Sequence, residues 1–267
     1  DLGTRVAALF MAGYIPGALW ALACMLVVYI YAKKAGYRSQ TKLTGKEKFN
    51  AFIQALPCLL LIIIVIGGII AGVFTATEGS VVAVVYSLLL SIYGYKSMKW
   101  KDLPEIFRAS AEMTGIIIFL IGVSSIMSWV MAFTNIPTMV SNGLLSISSN
   151  KYVILLMINI ILLVVGTFMD MTPATLIFTP IFLPVCTALG MNTIHFGIML
   201  IFNLCIGTIT PPVGTTLFVG VKVGGVKIET VFKHLLPYFF AIIVVLMLVT
   251  YIPQLSLWLP GLMGYVS

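Results

Sequence analysis

Two short polar stretches interrupt an otherwise apolar chain: "GTFMDMTP" at 166–173 and "GTITPPVG" at 207–214. Both combine glycine, threonine and proline, residue types that open a helix and present oxygen. Pro211 and Pro212 remove two amide donors and so free carbonyls about a turn earlier. Gly207 and Gly214 let the backbone leave helical geometry, and Thr208, Thr210, Thr215 and Thr216 add hydroxyl oxygens. The first stretch and its continuation supply a similar set: Gly166, Thr167, Asp170, Thr172, Pro173 and Thr175. Carbonyl and hydroxyl oxygens gathered in this way suit a hard monovalent cation, Na+ above all. The competing reading is a pair of proline kinks that only shape packing.

Other chemistry is sparse. The acids in or beside apolar segments are Glu78, Glu112 and Asp170. An intramembrane acid is costly and is a functional candidate for that reason. Glu78, in "FTATEGS", is equally well a helix-start acid capped by Thr75 or Thr77, and Glu112 is expected at the interface. Asp170 is the strongest candidate, either touching an ion or pinning its turn by bonds to backbone amides. The four cysteines lie singly in apolar segments without metal-ligand spacing, which makes them packing residues. His195 and His234 stand at segment edges, where an interfacial role is expected. A membrane aspartyl protease needs two facing aspartates and a Ser-His dyad needs a buried histidine, so the sequence argues against an enzyme.

The elements that position these residues follow from composition. Hydrophobic residues make up 61% of the 267 and charged ones 9%, where a soluble domain carries about a quarter charged. Several windows of about 18 or more residues lack any charge, the mark of transmembrane helices. The net charge of +7 is clustered, with six Lys/Arg between Lys33 and Lys48, four between Lys96 and Arg108 and three between Lys222 and Lys233. These are short loops between apolar segments, as the positive-inside rule places them on the cytoplasmic side. They do not form the aromatic-interleaved basic surface that nucleic-acid binding requires.

Threading the chain with these loops inside gives crossings at Val6 to Ala32, Ala51 to Ala71, about Gly79 to Tyr95, and about Ala111 to Phe133. "MKWKDLPEIFRASAE" suggests a helix lying in the interface. Residues 152–189 must then enter and leave on one side. Each arm, counted to the polar stretch, has only about 14 to 16 residues against the roughly 20 a full span needs. A re-entrant hairpin with its tip near the midplane is therefore favoured over two full spans. A broken helix at 195–222 and a last crossing from about Leu235 to Tyr251 complete the chain.

The expected fold class is an all-α polytopic membrane protein with about six transmembrane helices, one re-entrant helical hairpin and a discontinuous helix. Its segments are 1–50 (helix and basic cytoplasmic loop), 51–110 (helix pair and interfacial arm), 111–231 (hairpin and broken helix) and 232–267 (last crossing). The chain starts at Asp1 without a basic n-region before a short apolar core, so no signal peptide is expected. Broken helices at mid-membrane serve ion-coupled transporters, where helix N-termini face an anionic substrate group and unwound carbonyls hold sodium.

"GVFTATEGSVVAVVYSLL", "LLVVGTFMDMTPATLIFTPIFLPV" followed by "MNTIHFGIML", and "NLCIGTITPPVGTTLFV" together resemble the large membrane subunit of tripartite ATP-independent periplasmic (TRAP) transporters. The likeness extends to "ALFMAGYIPGAL" near the start and "IPQLSLWLPGL" near the end. It implies sodium-driven uptake of an organic acid, sialic acid or a C4-dicarboxylate, across a bacterial inner membrane. A periplasmic substrate-binding protein delivers the carboxylate solute, and a small membrane subunit, separate or fused, completes the complex. The family's large subunit consists of two inverted repeats that move together as an elevator. On that pattern the second repeat's sodium site comprises Gly166, Asp170, Thr172, Thr175, Gly207, Thr208, Thr210, Pro211 and Gly214. Thr167, Thr172, Pro173, Thr215 and Thr216 face the substrate. The first repeat is absent before residue 1, so the chain is expected to be the C-terminal part of a large subunit, without transport activity alone. Three alternatives stand beside this reading: a sodium-coupled carboxylate transporter that needs no binding protein, an ion channel with a carbonyl-lined filter, and a purely structural membrane subunit.

Overall fold

The computed structural model describes residues 2–36, 44–148, 150–211 and 214–265. Eleven α-helices account for most of them: α1 (Leu2–Ala35), α2 (Gly45–Ile70), α3 (Ala76–Leu89), α4 (Leu103–Phe133), α5 (Ile136–Ile147), α6 (Lys151–Phe168), α7 (Met171–Ala188), α8 (Thr193–Thr208), α9 (Thr215–Gly224), α10 (Ile228–Tyr251) and α11 (Gln254–Leu262). Among the described residues, seven helical segments are long and apolar enough to cross a membrane. The protein is an all-α polytopic membrane protein.

The chain divides into two compact units, the first comprising Asp1–Phe10 with Ala32–Gly115 and the second Met11–Tyr31 with Ile116–Ser267. In the first unit α2 and α3 form a helical hairpin. The ring of Phe74 lies over Gly68, where any Cβ would collide with it. Tyr86 and Tyr95 donate their hydroxyls back to the carbonyls of Pro57 (2.9 Å) and Gln54 (2.6 Å). Glu78 opens α3. Its carboxylate accepts the Thr75 N–H and hydroxyl, both at 2.8 Å, and the Thr75 hydroxyl oxygen accepts the Glu78 N–H at 3.3 Å. This is a capping box, which places Glu78 as a helix-start acid with Thr75 as its cap.

The stretch from Met98 to Glu112 does not form a helix of its own. A 3-10 turn at Trp100–Asp102 runs directly into α4, a single helix of 31 residues that includes the expected crossing. Pro104 occupies the first turn, where no amide donor is needed, and nothing after it breaks the ladder. Arg108 and Glu112 form an exposed i,i+4 ion pair at 3.0 Å along this helix.

The second unit is built around α8. Nine of its residues are buried, and it packs against α6, α7, α9, α10 and α11. Ile154, Ile158 and Leu162 of α6 meet Phe182 and Val185 of α7 and Met199 and Leu204 of α8. On another side of α8, Phe202 and Ile206 pack on Ile242, Leu246 and Val249 of α10. Trp20 of α1 closes this second cluster, its ring centroid 4.6 Å from that of Phe202. Two helices lie where the sequence suggested only connections. Asn135, left-handed at φ 56°, starts α5 with a proline in its first turn, and α11 follows α10 after Pro253.

Candidate functional site

Both polar stretches break helices. α6 ends at Phe168 and α7 begins at Met171, leaving Met169 and Asp170 in extended geometry between them. Tyr152 near the start of α6 and Gly190–Asn192 just after α7 line one cavity together with Thr250 and Tyr251 of α10. The α6–α7 pair therefore returns to the end from which it started. Each arm has 18 residues and is long enough to span, longer than the sequence count suggested. Residues 167, 168 and 171 are helical, and the polar stretch does not shorten the arms as expected.

α8 ends at Thr208, 16 residues or about 24 Å from its start at 1.5 Å per residue. The end tightens: Ile209 N–H donates to Ile206 O at 3.2 Å and Thr210 N–H to Gly207 O at 2.9 Å. Pro212 lies outside the described residues, but a proline at that position has no N–H to give Thr208 O. Gly214 would donate to Thr210 O in a continuous helix. Its N–H reaches instead across to Thr167 O, at 3.4 Å. Thr208 and Thr210 thus lose the donors that would occupy their carbonyls. The two oxygens converge: a Cβ built on Gly214 would lie 2.8 Å from Thr210 O and 3.2 Å from Thr208 O. Gly214 is left-handed at φ 33° and begins α9, so both conformation and space require glycine there.

The hydroxyls around this point are already oriented. Thr208 donates to Cys205 O (2.8 Å), Thr210 to Ile206 O (2.6 Å), Thr167 to Val164 O (2.7 Å) and Thr175 to Met171 O (2.8 Å). Each uses its only hydrogen on its own helix, leaving oxygen lone pairs as acceptors. The result is a set of hard, neutral oxygen donors, which fits an alkali cation and not a transition metal. Among the described residues no group of His, Cys, Asp or Glu could hold a metal ion.

Gly166, Thr167, Gly207, Thr208, Thr210 and Gly214 are brought together by backbone contacts between α6, the end of α8 and the start of α9. A Cβ on Gly207 would meet Gly166 Cα at 2.5 Å. The Cys205 and Met171 sulfurs, 3.6 Å apart, hold the start of α7 beside the end of α8. Asp170 is the exposed N-cap residue of α7, its carbonyl accepting the Ala174 N–H at 3.2 Å. Thr172, Pro173 and Thr175 are half-buried along the first turns of α7, Pro211 is half-buried at the break, and Thr216 is exposed on α9. The Thr215 side chain lies outside the described residues.

Sequence reasoning missed a second polar feature. His195, read from sequence as a segment-edge residue, is 1% exposed inside the second unit, with Nε2 3.2 Å from Thr250 O. Asn159 and Asn203 are wholly buried between α6 and α8. The signal was present, since each is a lone amide in an apolar run ("MINIILL", "IFNLCI"), and a polar group there needs a partner. The cavity beside His195, about 230 Å³, is also lined by Lys151, Tyr152, Asn192 and Tyr251.

Residues 2–255 match the family described as tripartite ATP-independent periplasmic transporter, DctM component. The chain belongs to this family. It is 37% identical over 263 residues to the sialic acid TRAP transporter large permease protein SiaM of Vibrio cholerae, covering 98% of this chain and 62% of that protein. It is 36% identical over 261 residues to the C4-dicarboxylate TRAP transporter large permease protein DctM of Pseudomonas aeruginosa, covering 98% and 61%. To YgiK of Salmonella typhimurium it is 51% identical over 260 residues, covering 97% and 60%. The chain thus spans about 60% of the length of these relatives. The family is one of transporter permeases rather than enzymes, and this chain is a multi-pass protein of the bacterial inner membrane.

Proposed function

We propose that this chain supplies one half of a sodium-coupled uptake machine for an organic acid of the sialic acid or C4-dicarboxylate class. The observation that carries the reading is the convergence of the Thr208 and Thr210 carbonyls beside Gly214, with the last turn of α6 reaching this point through the Gly166–Gly207 contact and the Gly214 N–H bond to Thr167 O. Oxygens released from a helix ladder and held by neighbouring backbone can coordinate Na+ without a buried negative charge. The N-terminus of α9, with its positive helix end, is then free to face a carboxylate. α6 and α7 act as a re-entrant hairpin, and Thr167, Thr172, Pro173, Thr215 and Thr216 form one wall of the solute site. The remaining wall belongs to the part of the protein that this chain does not include.

On this reading residues 111–231 form one transport-domain repeat of an elevator that carries ion and solute together. A small membrane subunit and a periplasmic binding protein complete the transporter. The fused isethionate TRAP transporter permease protein DctMQ of Oleidesulfovibrio alaskensis, 35% identical over 254 residues, illustrates the joined arrangement. A channel is less well supported, because filters repeat one loop around an axis, whereas here a turn and a broken helix meet within one chain.

The test is sodium-dependent uptake of labelled acids by the complete transporter in proteoliposomes. Replacing Thr208 and Thr210 together by Ala, or Asp170 by Asn, should raise the sodium needed for half-maximal uptake about ten-fold or more while assembly persists. Unchanged sodium dependence in both, and in a Gly214→Ala variant whose Cβ would displace the two carbonyls, would make the break a hinge and sink the ion reading.

A further inference from the structure

Asn203 stands one helical turn before Gly207 on α8 and is fully buried against α6. Its Nδ2 donates to Asn159 Oδ1 at 2.7 Å and to the Asn159 backbone carbonyl at 3.0 Å. Both partners are acceptors, so the nitrogen and not the oxygen of the amide must face them. Asn159 in turn donates to Leu155 O at 2.9 Å and to Thr250 Oγ1 at 3.2 Å. Through Thr250, whose carbonyl accepts from His195, the polar chain ties α6, α8 and α10 together inside an apolar core. One atom is left out: Asn203 Oδ1 has no hydrogen-bond partner among the described residues.

Selection for stability alone would not produce this arrangement. A buried acceptor left unpaired costs free energy, and an apolar pair of similar volume avoids that cost. What a buried amide pair does supply is register. Apolar helices in a bilayer gain little from one alignment over another, because lipid is as apolar as leucine. An asparagine that finds its partner in only one alignment selects that alignment, as a core asparagine does in a coiled coil. Alignment decides the next contact along these helices. Gly166 and Gly207 meet only where both lack a Cβ, and a slip of one residue, about 1.5 Å, would set larger side chains against each backbone.

We propose that Asn203, held by Asn159, is a positioning residue that locks α6 and α8 in the alignment that sets the Thr208 and Thr210 carbonyls beside the last turn of α6. It touches neither ion nor solute and acts through the backbone. Its consequence for sodium rests on the ion reading above.

The test uses the full-length permease in its complete transporter, with Asn203→Leu, Asn203→Asp, and Asn159→Leu combined with Asn203→Leu. Two quantities are measured: amide hydrogen exchange across 204–211, with 239–249 as reference, and the sodium concentration for half-maximal uptake. In Asn203→Leu, exchange across 204–211 should quicken about ten-fold with the reference unchanged, and the sodium requirement should rise about ten-fold. Asn203→Asp, whose buried carboxyl is kept protonated and still donates one O–H, should fall between. The double variant should match or exceed the parent in thermal stability yet keep the sodium defect, which a merely structural role would not produce. Should the double variant fold normally and show neither change, the positioning role is overturned. Faster exchange with an unchanged sodium requirement would leave the positioning intact and remove the ion reading.

Discussion

Gly166 and Gly207 meet backbone to backbone. A Cβ on Gly207 would fall 2.5 Å from both the Cα and the carbonyl carbon of Gly166 and 2.7 Å from its oxygen, whereas a Cβ on Gly166 would lie 3.1 Å from Gly207 Cα. Small residues at a crossing let membrane helices approach to backbone distance. Here that approach brings the α6–α7 turn within reach of the α8–α9 break.

The two glycines are therefore unequal. Gly207→Ala sets a methyl against backbone that cannot rotate away, and should cost about 2–3 kcal/mol in the range of overpacked cores. Gly166→Ala meets its nearest backbone atom at 3.1 Å rather than 2.5 Å and should cost about half as much. Gly13→Ala, whose Cβ would touch only the tip of Ile198 at 3.9 Å, should be neutral. Thermal unfolding of the purified permease ranks the three, and equal effects at 166 and 207 would contradict the asymmetry.

Gly214 joins conformation to chemistry. Alanine there must adopt φ 33° with its Cβ 2.8 Å from Thr210 O, a left-handed strain of about 1–2 kcal/mol plus displacement of the carbonyl. The displacement falls on the proposed ion oxygens, so Gly214→Ala should impair sodium dependence of uptake well beyond its effect on unfolding temperature. A sodium titration beside a melting curve separates the two. Proportional losses would mark Gly214 as a fold residue only.

The breaks were legible in sequence because their causes are local. A proline lacks its N–H, glycine adopts left-handed geometry and threonine offers a hydroxyl whatever packs nearby. The Gly166–Gly207 contact was not legible, since it depends on how two helices 41 positions apart in sequence align. His195 looked like an edge residue because "MNTIHFGIML" begins an apolar run. Its burial comes from α10, whose Thr250 lies 55 residues away. The α6 and α7 arms were undercounted because Thr167 and Phe168 belong to α6 and Met171 to α7. Polar character alone does not end a helix that has neighbours to pack against.

Glu78 illustrates a charge whose role is local. Its bonds to Thr75 satisfy the first turn of α3, and losing such a cap weakens the start of the helix. Thr75→Ala and Glu78→Gln should each lower the unfolding temperature modestly while the sodium concentration for half-maximal uptake stays at its parent value. A shift in sodium requirement with either variant would make Glu78 part of the ion path.

His195 closes the end of α10. Thr250 is in that helix's last turn, where carbonyls lack intrahelical donors, and a carbonyl can only accept. The His195 Nε2 must therefore carry the hydrogen, leaving Nδ1 without a partner among the described residues. Removing the donor leaves a buried carbonyl unpaired, a cost of about 1–3 kcal/mol. His195→Leu should show that full loss in thermal unfolding, and His195→Gln, which can still offer an amide N–H toward Thr250 O, should recover a good part of it. Because Thr250 also accepts from Asn159 through its hydroxyl, the effects of His195→Leu and Asn159→Leu should be non-additive in a double-mutant cycle. Strict additivity would mean that the histidine and the asparagine pair stabilise α10 independently, and that the polar chain through the core is not a single unit.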